Sequence, residues 1–401
     1  MQRCLRLISL GAALWLFAGQ ALANNLLVSN VGFTNTIKDA GFTEISFDFS
    51  WENSWHASWI ETDTGVGNPA LSLTNWDAAW IFIKYRLRSG ANTDWQHVYL
   101  APEGHVAPAG ITITPGLTDG TNVGVFIHRN SHDHGKLEIP RLRLRWDYAA
   151  QNLHYTNPLD ISVQAIEMVY VPAGPFYVGD GGREENKFTD GSWSSGNSIP
   201  FRITNEAPLE IKKEPGYLWG IGSYIEASTL SYDFPKGADA FYCMKYEITQ
   251  EQYANFLNHL SATQADALKL NSMSSRQSIS GTWPNYTAAA PDRAANYLSG
   301  KGWAAYAAWA GLRPLTELEF EKACRGPKAP LDNEFAWGTA SAVQQTEHTG
   351  EDGSGLEGAA PPDANLLYGN GPIKGPVRAG VYATESSDRE RAGASYWGIL
   401  D

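Results

Sequence analysis

Residues 311–326 read GLRPLTELEFEKACRG, and the stretch carries the signals of a short, sharply bounded helix. Thr316 stands where an N-cap side chain accepts a backbone N–H, and Glu319, three residues on, completes a capping box. Leu315 and Phe320 have the spacing of a hydrophobic staple across that cap. Glu317 and Glu319 favour the positive helix start, Lys322 and Arg325 the negative end, and Gly326 can adopt the positive φ that stops a helix. Just upstream, WAAYAAWAG (303–311) reads as a second short helix ending at Gly311, its alanines inviting close packing. Local stability accounts for each of these features.

The same grammar recurs in DAFYCMKYEITQEQYANFLNHL (239–260), where a strand enters a helix. Thr249 and Gln252 are spaced as a capping box, Ile248 and Tyr253 as its staple, and Tyr253, Phe256, Leu257 and Leu260 share one helical face. Further upstream, MVYVPAGPFYVGDGG (168–182) is a strand pair with a Pro-Ala-Gly turn. It opens into a polar, Gly- and Ser-rich surface loop over 181–200, whose Glu184, Glu185 and Asp190 offer no pattern of a site.

Before Ile166 the period changes to two. In ISFDFSW (45–51), Ile45, Phe47, Phe49 and Trp51 alternate with Ser46, Asp48 and Ser50, as a half-buried strand requires. WIFIKYRL (80–87) repeats this with Ile81, Ile83, Tyr85 and Leu87 on one face, and LRLRW, WQHVYL, ITIT and VGVFI add further short strands between Gly, Pro, Asn and Asp punctuation. A β-sandwich over 24–165 is the economical expectation. Two features of it bear on function. WENSWHASW (51–59), with Trp76 and Trp80, either supplies core area or presents aromatic faces to sugar rings, and exposure of Trp55 or Trp59 would favour the second reading. HRNSHDH (128–134) places His128, His132, Asp133 and His134 within metal-ligand spacing, but on a strand end running into a Gly-containing loop, which favours a solvated polar loop.

The chain as a whole, 401 residues with 43% hydrophobic and 18% charged, has globular composition and more than one domain's length. Residues 1–23, MQRCLRLISLGAALWLFAGQALA, are read as a secretory signal peptide, with Arg3 and Arg6 before the apolar run and Ala21-Leu22-Ala23 as the cleavage site. The expected location is the periplasm or outside the cell, with no membrane span in the mature chain. The formal net charge of −13, without a Lys/Arg run, argues against nucleic acid as a partner. Cys243 and Cys324 remain after cleavage; an oxidising compartment permits a disulfide between them, and either is equally readable as a buried small hydrophobe.

In order, MVYVPAGPFYVGD, FYCMKYEITQEQYANFL, WAAYAAWAGLRPLTELEFEKACRG and EFAWG (334–338) resemble the formylglycine-generating enzyme, or sulfatase-modifying factor, family from about Met168 to the end. One departure is Arg313-Pro314-Leu315-Thr316, where the family more often has Arg-Leu-Pro-Thr. The resemblance implies a loop-rich α+β domain with a C-type-lectin-like fold over 166–401. Members of this family oxidise a sulfatase cysteine with copper and O₂ at a cysteine pair; relatives use non-haem iron, and others only bind ligands. The family's catalytic cysteines follow a Gly-Asn-Val-Trp-Glu-Trp type motif, and this sequence runs out in ASYWGILD (394–401), which looks like its lead-in. Neither Cys243 nor Cys324 matches a catalytic position. No catalytic or cofactor-binding residue is therefore carried over, and copper or iron is expected only with a further C-terminal segment. A family calcium segment is similar to PPDANLLYGNG (361–371), which nominates the Asn365 side chain and the Leu366 carbonyl as calcium ligands beside the alternative of an ordinary turn. The expectation is an exported protein that binds or scaffolds a protein or carbohydrate ligand. The alternatives are a fragment of a metal-dependent oxidase, or adhesion through the Trp-rich strands.

Overall fold

The computed structural model describes residues 26–90, 93–182, 187–192, 198–222, 226–270, 274–369, 371–384 and 387–400. The expected signal peptide lies outside the described residues, as do Glu184 and Glu185. The protein is β-rich, with four α-helices among the described residues. Its first half is built from β1 (Leu27–Ile37), β2 (Phe42–Glu61), β3 (Leu71–Leu87), β4 (Gln96–His97), β5 (Ile111–Thr118), β6 (Thr121–Arg129), β7 (Asp133–Trp146) and β8 (Leu159–Val171).

All pairings among these strands are antiparallel. β2 pairs with β1 and β7 over most of its length, and its last residues, His56 to Glu61, pair with Trp76 to Leu71 of β3. β3 then pairs with β8 from Asp77 to Leu87 and with β6, which pairs with β5. Ile45, Phe47, Phe49 and Trp51 of β2 share one buried cluster with Ile81, Ile83 and Tyr85 of β3 and with Leu142, Leu144 and Trp146 of β7. The alternation read in ISFDFSW is thus the core face of β2.

The one-faced reading of WIFIKYRL is corrected. Trp80, Phe82 and Lys84, on the other face of β3, are buried as well. Trp80 and Phe82 pack with Ile166 and Met168 of β8 and with Tyr253, Phe256, Leu257 and Tyr306 from helices of the second half. Periodicity reports one apolar face, and here a second layer from 170 residues or more downstream covers the other. The Trp80 indole N–H donates to the Ala310 carbonyl at 2.7 Å, satisfying the polar atom that this burial would otherwise strand. β8 itself runs without interruption across residues 165 and 166, and its Met168–Val171 end pairs with the strand Phe241–Met244.

The helices are α1 (Gln250–Asn258), α2 (Ala262–Leu268), α3 (Gly300–Ala310) and α4 (Glu317–Arg325). The capping boxes expected at Thr249/Gln252 and Thr316/Glu319 are both formed. α3 ends at Gly311 with φ 71°, and a Cβ there would stand 3.0 Å from Val123, so the left-handed turn and the close approach both require glycine. The expected Leu315–Phe320 staple leaves Phe320 53% exposed. What pins α4 is polar: Glu319, buried, takes a two-pronged contact from Arg313 at 2.6 and 2.8 Å while closing the capping box, and Lys322 reaches the Gly237 carbonyl at 2.6 Å.

Candidate functional site

A buried polar constellation lies where β3 and β8 meet the turn before α1. Asp77, 1% exposed, accepts the Trp55 backbone N–H at 2.8 Å, the Ser54 hydroxyl at 3.1 Å, the Trp51 indole N–H at 3.2 Å and the Lys245 ammonium at 3.3 Å. Lys245 also lies 3.5 Å from Glu167 and 4.5 Å from the centre of the Trp55 ring. Burial is the larger influence on Asp77 and raises its pKa, with Lys245 and the other donors pulling the other way. Every member is spoken for, so this is a seam that holds two parts of the chain together rather than a reactive centre.

Next to the seam opens a cleft of about 450 Å³. One wall is β8 from Val163 to Glu167 with Leu26 and Val28; the other is the first turn of α1 with Tyr246, Glu247, Glu251 and Asn255, flanked by Asp292 and Arg378. The segment 291–294 is laid across the helix start by Gln250 N–H to Arg293 O at 2.7 Å and Glu251 N–H to Pro291 O at 3.1 Å, which brings Asp292 beside Glu251. Burial and then the neighbouring Asp292 carboxylate raise the pKa of Glu251, and burial raises that of Asp292 against the pull of Arg378. Arg378 is itself tied back, its Nε donating to the Glu357 carbonyl at 2.8 Å. The cleft is therefore an acidic one, partly withdrawn from water.

None of these residues was nominated from the sequence. Glu251 reads there as a helix-start carboxylate and Asp292 as part of a Pro-Asp turn. Only the crossing of 291–294 over α1 makes them neighbours.

The nominated residues lie elsewhere. The Asn365 side chain accepts Val343 N–H at 2.8 Å and donates to Glu390 O at 3.0 Å, while the Leu366 carbonyl accepts Gln345 N–H at 2.9 Å. Calcium takes six to eight oxygens. The two oxygens nominated here already receive amide N–H groups, and no group of three or more His, Cys, Asp or Glu arranged for a metal is found among the described residues. No step is derived through calcium.

HRNSHDH forms the connection from β6 to β7. His128 stacks on Trp76 at 4.8 Å and hydrogen-bonds the Arg129 carbonyl, and Asp133 pairs with Arg129 at 2.7 Å. Trp55 and Trp59 are neither free platforms nor fully buried. Both pack in a cluster with Trp397 and Tyr396, and the Trp59 indole N–H donates to the Tyr396 hydroxyl at 3.1 Å. Trp76 is covered by Tyr170, whose ring lies parallel at 3.9 Å. Cys243 and Cys324 are free thiols, and burial pushes each up to about 12. Asp190, in the loop that offered no pattern, caps its own turn by accepting Ser192 N–H at 2.8 Å.

Residues 232–360 match the family model described as the sulfatase-modifying factor enzyme 1-like domain. This part of the chain carries a sulfatase-modifying-factor-like domain. Neither a curated protein nor a solved structure matches the chain. The sulfatase-modifying-factor-like segment holds the strand Phe241–Met244, all four helices and the α1 wall of the cleft. The opposite wall, from β8 and the start of β1, comes from outside the matched residues, and Arg378 from beyond them. The cleft is thus a joint product of the family domain and the strands it is built onto.

Proposed function

We propose that the protein is an exported binding or scaffolding protein, in which a β-sandwich over 24–165 is fused to a C-type-lectin-like, sulfatase-modifying-factor-like domain over 166–401. Its cleft receives a positively charged group, an amine or guanidinium, carried by a protein or small-molecule ligand. The observation that carries this reading is the lining of the cleft, where the neighbouring carboxylates Glu251 and Asp292 stand with one guanidinium, Arg378. A cation seated beside Glu251 and Asp292 would offset the burial and repulsion that raise both carboxyls, so binding strengthens as pH rises and both ionise.

An oxidase reading gains nothing from the two thiols. Neither Cys243 nor Cys324 matches a catalytic position of the family, and burial pushes both thiols up to about 12. Asn365 acts in this reading as a strut between loops, with its side chain joining the 341–343 and 390 segments.

Isothermal titration with agmatine, which carries both an amine and a guanidinium, tests the proposal against succinate and glycerol as controls. Binding of agmatine alone, weakened about tenfold or more by Glu251→Gln with Asp292→Asn and by lowering the pH, supports it. Equal binding of all three ligands, or agmatine binding indifferent to the double variant, overturns it.

A further inference from the structure

β8 is paired along one side from Leu159 to Val169, where β3 runs antiparallel to it. Its other side is covered only at the far end, by the strand Phe241–Met244 against Met168–Val171. The Lys245 N–H adds one more bond, to the Glu167 carbonyl at 2.9 Å, and the chain then turns away through Tyr246 and Glu247 towards α1. Among the described residues no strand takes up the pairing from Glu167 back to Leu159.

In an antiparallel ladder, alternate residues turn their N–H and C=O groups to the same side. Glu167 turns its carbonyl to the open side, so Ala165 and Val163 do the same, while Gln164 and Ile166 face β3. Val163 to Glu167 follow one another along the wall of the acidic cleft, so the cleft exposes the backbone edge of the strand and not merely one of its faces. Val163 and Ala165 are half-buried, within reach of anything that enters. An open strand edge is a template for another strand, and folds commonly blunt such edges with charge. Here the charge across the cleft is of one sign, from Glu251 and Asp292, which disfavours an acidic strand and a second copy of this chain with its net charge of −13.

We propose that the open edge of β8 docks an extended segment of a partner protein, added as an antiparallel strand in line with Phe241–Met244 and carrying a lysine that reaches Glu251 and Asp292. This docking rests on the cation-binding reading of the cleft and names the carrier of the cation. Main-chain hydrogen bonds to Val163 and Ala165 supply affinity without regard to sequence, and the acidic pair selects the side chain. An ammonium is a compact charge with three donors, which two neighbouring carboxylates can share. From Val163 to Glu167 the edge runs about 13 Å, enough for a paired segment of four or five residues. The edge lies outside residues 232–360, so the strands before the family domain provide the docking surface and the domain provides the charge that reads it.

Amide hydrogen exchange on the full chain, with and without the peptide acetyl-Thr-Val-Thr-Lys-Thr-Val-Thr-amide, tests the proposal. The Val163 and Ala165 amides should gain about tenfold or more protection when the peptide is bound, while those of Gln164 and Ile166, already bonded to β3, change little. Titration of two N-methylated peptides, blocked at alternate amides, should show one weakened about tenfold or more and the other within about twofold of the parent. Replacing the lysine by norleucine, or Glu251→Gln with Asp292→Asn in the protein, should weaken binding about tenfold. Unchanged exchange at Val163 and Ala165 under saturating peptide, equal binding of the two methylated peptides, or a norleucine peptide that binds as tightly as the lysine peptide would each overturn it. None of these results depends on agmatine, so the strand docking can fail while the cation site stands.

Discussion

Tyr396 donates its hydroxyl to Glu61 at 2.6 Å, and the same oxygen accepts the Trp59 indole N–H, joining the C-terminal end of the described chain to β2. The Tyr396 ring also lies against Gly326, where any side chain would collide with it, so the end of α4 and the edge of β2 are fastened by one residue. Burial and then the Glu61 carboxylate push the phenol pKa up, which keeps it a donor at any ordinary pH.

Tyr396→Phe keeps the ring and removes that donor. The expected loss is about 1.5–3 kcal/mol, because a hydrogen bond to a charged group disappears and the Trp59 N–H loses its acceptor. Urea unfolding measures it, and a change under about 0.5 kcal/mol, the size of an ordinary surface substitution, would show the contact to be incidental.

Asp77 and Lys245 make the second fastening, and both are fully buried. Lys245→Met should cost about 3–5 kcal/mol, since it leaves the Asp77 and Glu167 carboxylates buried without their cation. The double variant Asp77→Asn with Lys245→Met should recover part of that loss. If the single and double variants unfold at the same urea concentration, the pair is not coupled.

Lys84 predicts how stability follows pH. Its ammonium is buried beside His97, at 2.7 Å, and the rings of Phe82 and Trp309. Burial lowers Lys84 to about 7, and burial followed by Lys84 lowers His97 to about 4. The unfolded chain binds these protons more readily than the folded one. The stabilisation from Lys84 is therefore complete above pH 10.5 and is lost as pH falls towards 7; that from His97 is lost between 6.5 and 4. Between pH 10 and 6, the parent should lose a few kcal/mol relative to Lys84→Met. Parallel pH profiles for the two proteins would refute this.

The two cysteines should be silent in the native state. Iodoacetamide at pH 8, followed by peptide mapping, should leave Cys243 and Cys324 unmodified under native conditions and label both in guanidinium. Fast native labelling of either would contradict the raised pKa that holds the thiols protonated.

Much of the local structure is legible in the sequence. The caps at Thr249 and Thr316, the stop at Gly311 and the alternating face of β2 are decided within a few residues, where hydrogen-bond geometry and side-chain period leave little choice. The likeness of 232–360 to the sulfatase-modifying factor family is legible for a related reason, because three short motifs occur there in a fixed order. The acidic cleft is not. Glu251 and Asp292 are each ordinary in their own segments and become a site only when one loop crosses one helix start.

What the sequence by itself determined, then, is where the chain turns, which faces are apolar, and which family residues 232–360 resemble, since these depend on neighbours along the chain. Only the tertiary structure decided that β3 is buried on both faces and that Trp55 and Trp59 pack, half-buried, on Tyr396 and Trp397. Burial of a second face, and the satisfaction of each polar atom within it, depend on segments hundreds of residues away. No local pattern encodes who those partners are.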